Sequence, residues 1–196
     1  MVTATMTHDG PQLVRMSLGG LARMWMSVLS YVRLRCALAE GLDRYGRWIG
    51  TPEVASRRLV RERDAIDLAL ANEEWLGLAV FVYASSPWTV IEELSGGLSE
   101  RPVKSWLELA EGGDLVYAGY NDAIPYAQLV VVERGRLVRE FLHDEQDSSH
   151  DVNVGRLPEE AGKRLETWID GARWVEEDEL KLTRPEQGWL WIHQAA

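Results

Sequence analysis

GGDLVYAGYNDAIPYAQLVVVERGRLVREFLHD, residues 112–144, has the pattern of three successive β-strands separated by two turns. Apolar and aromatic side chains fill both faces of its first run, as is typical of a buried strand. Asn121, Asp122 and Pro125 then interrupt that run with residues that favour turns. The block predicts strands over 114–120, 126–133 and 136–144.

The last two of these strands are joined by Arg134-Gly135, which is the pattern of a β-hairpin. Gly135 supplies the positive φ that a tight turn requires. A two-residue loop predicts three facing pairs: Val132 with Leu137, Val131 with Val138, and Val130 with Arg139. Because both faces of the hairpin are apolar, we expect it in the centre of a sheet, covered on both sides or paired with a second molecule.

The rest of the chain predicts further strands and helices by the same periodicities. Residues 21–35 fit a helix nearly as well as a strand, but the alternation over 31–35 favours a strand. Other strands are predicted over 64–72, 76–84 and 88–94 and, as an edge of the sheet, 189–193. Helices are predicted over 38–49, 103–110 and 157–169.

This order of elements predicts an α+β fold, a mostly antiparallel sheet of about six or seven strands with two or three packing helices. Residues 1–15 are polar and without periodicity, which predicts a flexible tail before a single domain over 16–196.

Charge is unevenly spread along the chain, which has a net charge of −10. Residues 1–63 hold ten arginines and five carboxylates, whereas residues 140–180 hold thirteen carboxylates and four basic residues. An acidic segment of this kind repels nucleic acid and attracts basic partners. The same run is also typical of a solvated face that only maintains solubility.

No catalytic or metal-binding motif is present in the sequence. Cys36 is the only cysteine, and it is interpreted as a small buried apolar residue. The histidines lack metal-ligand spacing, and residues 144–153 lack the pattern of a calcium-binding loop. We therefore expect no metal and no cofactor. No run reaches the roughly 18 apolar residues of a membrane span, and no secretory signal is recognised, which predicts a cytoplasmic protein away from membranes.

One polar cluster gives an alternative, enzymatic or ligand-binding interpretation. Tyr117, Tyr120, Asn121 and Tyr126 crowd a strand end and its turn and are the candidates for a ligand pocket. Paired carboxylates beside tyrosines can perform acid–base work. The alternative catalytic candidates are Glu140, Asp144 and Asp122.

Three segments, SSPWTVIEELSGGL (85–98), 114–147 and NVGRLPEE (153–160), resemble a group of uncharacterised bacterial proteins. That group is similar to immunity proteins of polymorphic-toxin systems. The resemblance covers the C-terminal 110 or so residues and implies a protein inhibitor; it assigns no residue a role.

Charge and resemblance together predict a non-enzymatic binding protein that neutralises a basic protein effector. The nine tryptophans support this prediction, because tryptophan often carries interface energy. The partner-binding candidates are Asp144, Glu145, Asp147, Asp151, Trp174, Glu176, Glu177, Asp178 and Glu179. A homodimer, paired through the apolar strand 24–34, is a further alternative.

Overall fold

Nine antiparallel strands form one continuous sheet in the computed structural model, which describes residues 28–50, 56–99, 101–162 and 164–193. The strands are β1 Val28–Leu34, β2 Ser56–Arg61, β5 Leu78–Ser85, β6 Trp88–Glu93, β7 Leu115–Asn121, β8 Tyr126–Glu133, β9 Arg136–Asp144, β10 Val152–Gly155 and β11 Gln187–His193. Their order across the sheet is β10-β9-β8-β7-β1-β6-β5-β11-β2. Two further strands, β3 Leu70–Ala71 and β4 Glu74–Trp75, pair only with each other. The α+β prediction is confirmed.

Helices cover both faces of the large sheet. The helices are α1 Leu38–Ile49, α2 Ala65–Ala69, α3 Val103–Ala110 and α4 Trp168–Glu179. On one face, here the α1 face, α1 and α3 pack on side chains such as Tyr117 and Val130. On the other, the α4 face, α2 and α4 pack on side chains such as Val116 and Leu129. The hairpin is internal to the sheet but lies second and third from the β10 edge rather than at its centre; β8 is buried on both faces, whereas β9 is fully buried only at Arg139 and Phe141, which point to the α4 face.

A β-bulge changes the predicted register of that hairpin. Val132 faces Leu137 as expected, but beyond it Val131 faces Arg139 and Val130 faces Glu140. An extra residue in β9 shifts the pairing by one and sends the following side chains to the opposite face. Arg139 consequently points to the α4 face, where it forms an ion pair with the buried carboxylate of Glu160.

Two predicted elements are wrong. Residues 64–72 do not form a strand: α2 is followed by the short β3, with Ala65 and Ala69 buried one helical turn apart. The helix predicted over 157–169 is a single 3₁₀ turn, Pro158–Glu160, and α4 begins only at Trp168. Thr167 caps α4 by accepting from the backbone N–H of Asp170, so the helix begins where the sequence prediction ends it.

The edges of the sheet also differ from the prediction. β11 lies between β5 and β2 rather than at an edge. The short edge strands β2 and β10 were not predicted, which raises the count from six or seven to nine. β1 pairs with β7 and β6 on its two sides, so Tyr31–Leu34 offers no free edge to a second chain. Residues 24–27 and the predicted tail over 1–15 lie outside the described residues.

Candidate functional site

Carboxylates gather where β7, β8 and β9 meet the helix α4. The turn 121–125 touches the loop 144–151, since the backbone N–H of Glu145 donates to the carbonyl of Pro125 at 2.9 Å. We name the surface formed by the turn 121–125, the loop 144–151 and residues 168–176 of α4 the acidic end. Its carboxylates are Asp122, Asp144, Glu145, Asp147, Asp151, Asp170 and Glu176.

The loop of the acidic end is ordered by its own carboxylates. Asp144 accepts from the backbone N–H groups of Gln146 and Asp147 at 2.8 and 3.3 Å. Asp151 accepts from the backbone N–H of Asp144 at 2.9 Å. Hydrogen bonds from Ser149 lower the pKa of Asp147. Because the bonds from Ser149 favour the ionised form, Asp147 stays negative at neutral pH.

Two side-chain hydrogen bonds join α4 to this loop and to the end of β7. The indole N–H of Trp168 donates to Glu145 Oε2 at 2.9 Å. The hydroxyl of Tyr120 donates to Glu176 Oε1 at 3.0 Å, and burial together with this carboxylate raises the pKa of Tyr120. Tyr120 therefore remains a donor at neutral pH, and both carboxylates are held in place.

Apolar side chains are exposed within the acidic end. Ile124 is 50% exposed and Ile169 is 47% exposed. Lysine and arginine are absent from residues 105–133 and 140–155, and the one arginine of the acidic end is the exposed Arg173 of α4, which lies near Asp170. The surface thus combines fixed negative charge with two large apolar groups, the combination of a charged rim and apolar contacts used in protein interfaces.

The structure does not bring all nine predicted partner-binding residues to this surface. Asp178 is 1% exposed and accepts from Tyr31 at 2.8 Å, so its carboxylate is unavailable to a partner. Glu179 pairs with Arg184. Trp174 is half-buried and, with Asp170 and Glu177, lines a cavity between α4 and the segment that precedes it. Trp168, which the sequence interpretation did not select, is the tryptophan that donates a hydrogen bond to the loop of the acidic end.

The predicted tyrosine pocket is divided by the sheet. Tyr117 is fully buried on the α1 face, stacked on Trp106 with ring centroids 4.4 Å apart. Tyr126 donates to Gln128 at 2.8 Å on that same face, whereas Tyr120 lies on the α4 face. Asn121 Oδ1 accepts hydrogen bonds from the backbone N–H groups of Ala123 and Ile124 and so stabilises the turn. The four residues do not line one pocket.

The alternative catalytic carboxylates are also separated. Glu140 and Asp144 are four residues apart on β9, which separates their Cα atoms by about 14 Å at roughly 3.4 Å per residue. Glycosidases require about 5 to 9.5 Å between their carboxyl groups. Asp122 belongs to the turn, and Asp144 is occupied by backbone N–H groups. This geometry does not favour the hydrolase alternative.

A second concave surface, which the sequence did not predict, lies at the opposite ends of the same strands on the α4 face. Its volume is about 850 Å³. We name it the charged groove; its floor is Val116, Val131 and Val138, its walls include Trp88, Trp174 and Leu157, and its basic residues are Arg33, Arg35, Arg134, Arg136 and Lys181. The one available signal in the sequence is Arg33, a charge inside an otherwise apolar strand.

Asp178 organises one side of the charged groove. Arg33 Nη2 lies 2.9 Å from Asp178 Oδ1, and Lys181 Nζ lies 3.2 Å from the same atom. The Arg33 guanidinium also stacks on Trp88 at 4.7 Å from the ring centroid. Its buried Nε–H has no acceptor, which costs free energy unless another group supplies one.

Within the described ranges, no helix is long and apolar enough to cross a membrane. In the same part of the chain, no three His, Cys, Asp or Glu side chains are grouped so that they could hold a metal ion. Cys36 is half-buried, and burial raises the pKa of its thiol.

No protein-family model, curated protein or solved structure matches this chain. The resemblance to immunity proteins therefore stays a hypothesis based on the three quoted segments.

Proposed function

We propose that this chain is a protein-binding protein, an inhibitor of the immunity-protein kind, that docks a basic protein partner on its acidic end. The observation that carries the proposal is the juxtaposition of ordered carboxylates with exposed Ile124 and Ile169; the turn and the loop hold no lysine or arginine, and α4 adds only Arg173 against the seven carboxylates.

The charges of the acidic end act before and after contact. At long range they attract a basic surface and raise the association rate, an effect that salt screens beyond about 10 Å at 0.1 M. At contact, Glu145 and Glu176 are already held by Trp168 and Tyr120, so little side-chain freedom is lost on binding. Ile124 and Ile169 supply the apolar surface that a partner buries.

Neutralising this surface tests the proposal. The variant D122N/E145Q/E176Q removes three charges but keeps side-chain acceptors for Trp168 and Tyr120. The matched control D67N/E73Q/E74Q also removes three charges, from α2 and the β3–β4 hairpin, which lie outside the acidic end. Each protein is immobilised and exposed to a lysate of the native host at low salt.

We expect the wild-type protein and the control to retain a common basic protein that the acidic-end variant loses. Equal retention by all three proteins would contradict the proposal.

A further inference from the structure

We propose that the charged groove binds a small amphipathic oxyanion: an apolar or aromatic body that carries one carboxylate or phosphate group. This site lies at the opposite strand ends from the acidic end and does not depend on the protein partner.

The shape and lining of the groove indicate the body of the ligand. A volume of about 850 Å³ is within the usual range for small-molecule sites. The apolar surface of the groove comes mainly from the half-buried Val138, Trp88 and Trp174, since the floor residues Val116 and Val131 are only 5% and 6% exposed. A purely ionic ligand would leave this apolar surface unused.

The charges of the groove indicate that the ligand is negatively charged. Asp178 is a single negative charge shared by Arg33 and Lys181, which leaves one positive charge in excess. Asp114 pairs with Arg35 at 3.3 Å and accepts from the backbone N–H of Arg134 at 2.8 Å. Glu133 and Glu159 also line the groove and partly offset its positive charge.

Three groups have donors to spare for an oxyanion. Among the described residues, the guanidinium groups of Arg134 and Arg136 have no ion-pair partner, and both side chains are exposed at the rim. Arg33 has a buried Nε–H without an acceptor. Guanidinium forks suit carboxylate and phosphate oxygens, which they bind with two parallel hydrogen bonds.

The test uses 8-anilinonaphthalene-1-sulfonate, an aromatic anion whose fluorescence rises in apolar sites, titrated against the whole protein. R134Q/R136Q removes two groove charges at exposed positions, so its fold is preserved. R61Q/R63Q removes two exposed charges outside the groove and is the matched control. N-phenyl-1-naphthylamine, the same ring system without the sulfonate, measures the binding that does not depend on the negative charge of the dye.

We expect saturable binding at one site, weakened about tenfold in R134Q/R136Q and unchanged in R61Q/R63Q. Benzoate and phenyl phosphate should displace the dye, and benzyl alcohol should not. Whichever acid competes at the lower concentration identifies the head group as carboxylate or phosphate.

The proposal is overturned if the dye does not bind or if both double variants weaken it equally. It is also overturned if the uncharged naphthylamine or benzyl alcohol occupies the site as well as the anions do.

Discussion

Arg139 and Glu160 form a buried, two-pronged ion pair that joins β9 to the segment before α4. Arg139 Nε lies 2.7 Å from Glu160 Oε1, and Nη2 lies 3.2 Å from Oε2. The two residues are 1% and 3% exposed. Arg139 Nη1 also donates to the carbonyls of Glu140 and Val154, so this guanidinium ties together β9, β10 and the 3₁₀ turn.

Removing the charge of Glu160 should strongly destabilise the fold. E160Q leaves the Arg139 guanidinium buried without a counter-charge, which costs about 3 kcal/mol or more. Chemical denaturation measures the free energy of unfolding. The exposed neighbour Glu159 provides the control, since E159Q should change this quantity by less than about 0.5 kcal/mol. Similar values for the two variants would show that the pair has no special importance.

Removing the charge of Asp178, at the other end of α4, should likewise destabilise the fold. D178N removes the carboxylate that Arg33 and Lys181 share, and the buried Arg33 then lacks this counter-charge. We expect a loss of about 3 kcal/mol in the free energy of unfolding. E177Q, one residue away on the exposed side of the helix, should be nearly neutral. A neutral D178N would mean that water reaches Arg33 freely.

Gly171 marks the closest approach of α4 to the sheet. A Cβ at this position would lie 2.6 Å from Ala127 Cβ and 2.8 Å from Phe141 Cε1. A glycine-to-alanine change inside a helix normally stabilises it by about 0.5–1 kcal/mol. G171A should instead destabilise the protein by about 1–3 kcal/mol, because the helix must move outward. Thermal unfolding shows whether G171A raises or lowers the stability of the protein. R173A, on the exposed face of α4, is the control.

The sequence predicts those elements of the fold whose side-chain pattern is local. Strands β7 to β9 and helices α1 and α3 follow from alternation or from helical stripes within single segments. The residues 157–169 also show a stripe, but Glu160 turns inward to Arg139, and this long-range ion pair is invisible in local periodicity. The extra residue of β9 that turns Arg139 to the α4 face is likewise invisible in the alternation of the strand.

The candidate surfaces are predictable only in part. The loop 144–151 of the acidic end is apparent as a run of carboxylates. The role of Asp178 is not, because its partners Arg33 and Tyr31 are about 145 residues away in the chain. The charged groove combines β1, the β8–β9 turn and the end of α4, which only the sheet order brings together.

His193 should make the stability of the protein depend on pH. It is buried against the rings of Tyr45 and Trp191, and burial lowers its pKa from the ordinary value of 6.5. Below pH 6.5 the unfolded chain therefore binds a proton that the folded chain resists. The contribution of neutral His193 is complete above pH 6.5 and is lost as the pH falls towards its folded pKa.

Denaturation at a series of pH values checks this prediction. Between pH 7 and pH 5, H193Q should lose less stability than the wild-type protein does. H150Q, which alters an exposed histidine, should follow the wild-type curve. Parallel curves for all three proteins would exclude His193 as the source.

The salt dependence of partner binding tests the central claim most directly. The basic protein retained in the capture experiment is titrated against the wild-type protein and against D122N/E145Q/E176Q over a range of salt concentrations. We predict that wild-type affinity falls steeply with salt, and that the variant has both a lower affinity at low salt and a shallower dependence. An affinity that ignores salt, or an unchanged slope in the variant, would contradict docking on the acidic end.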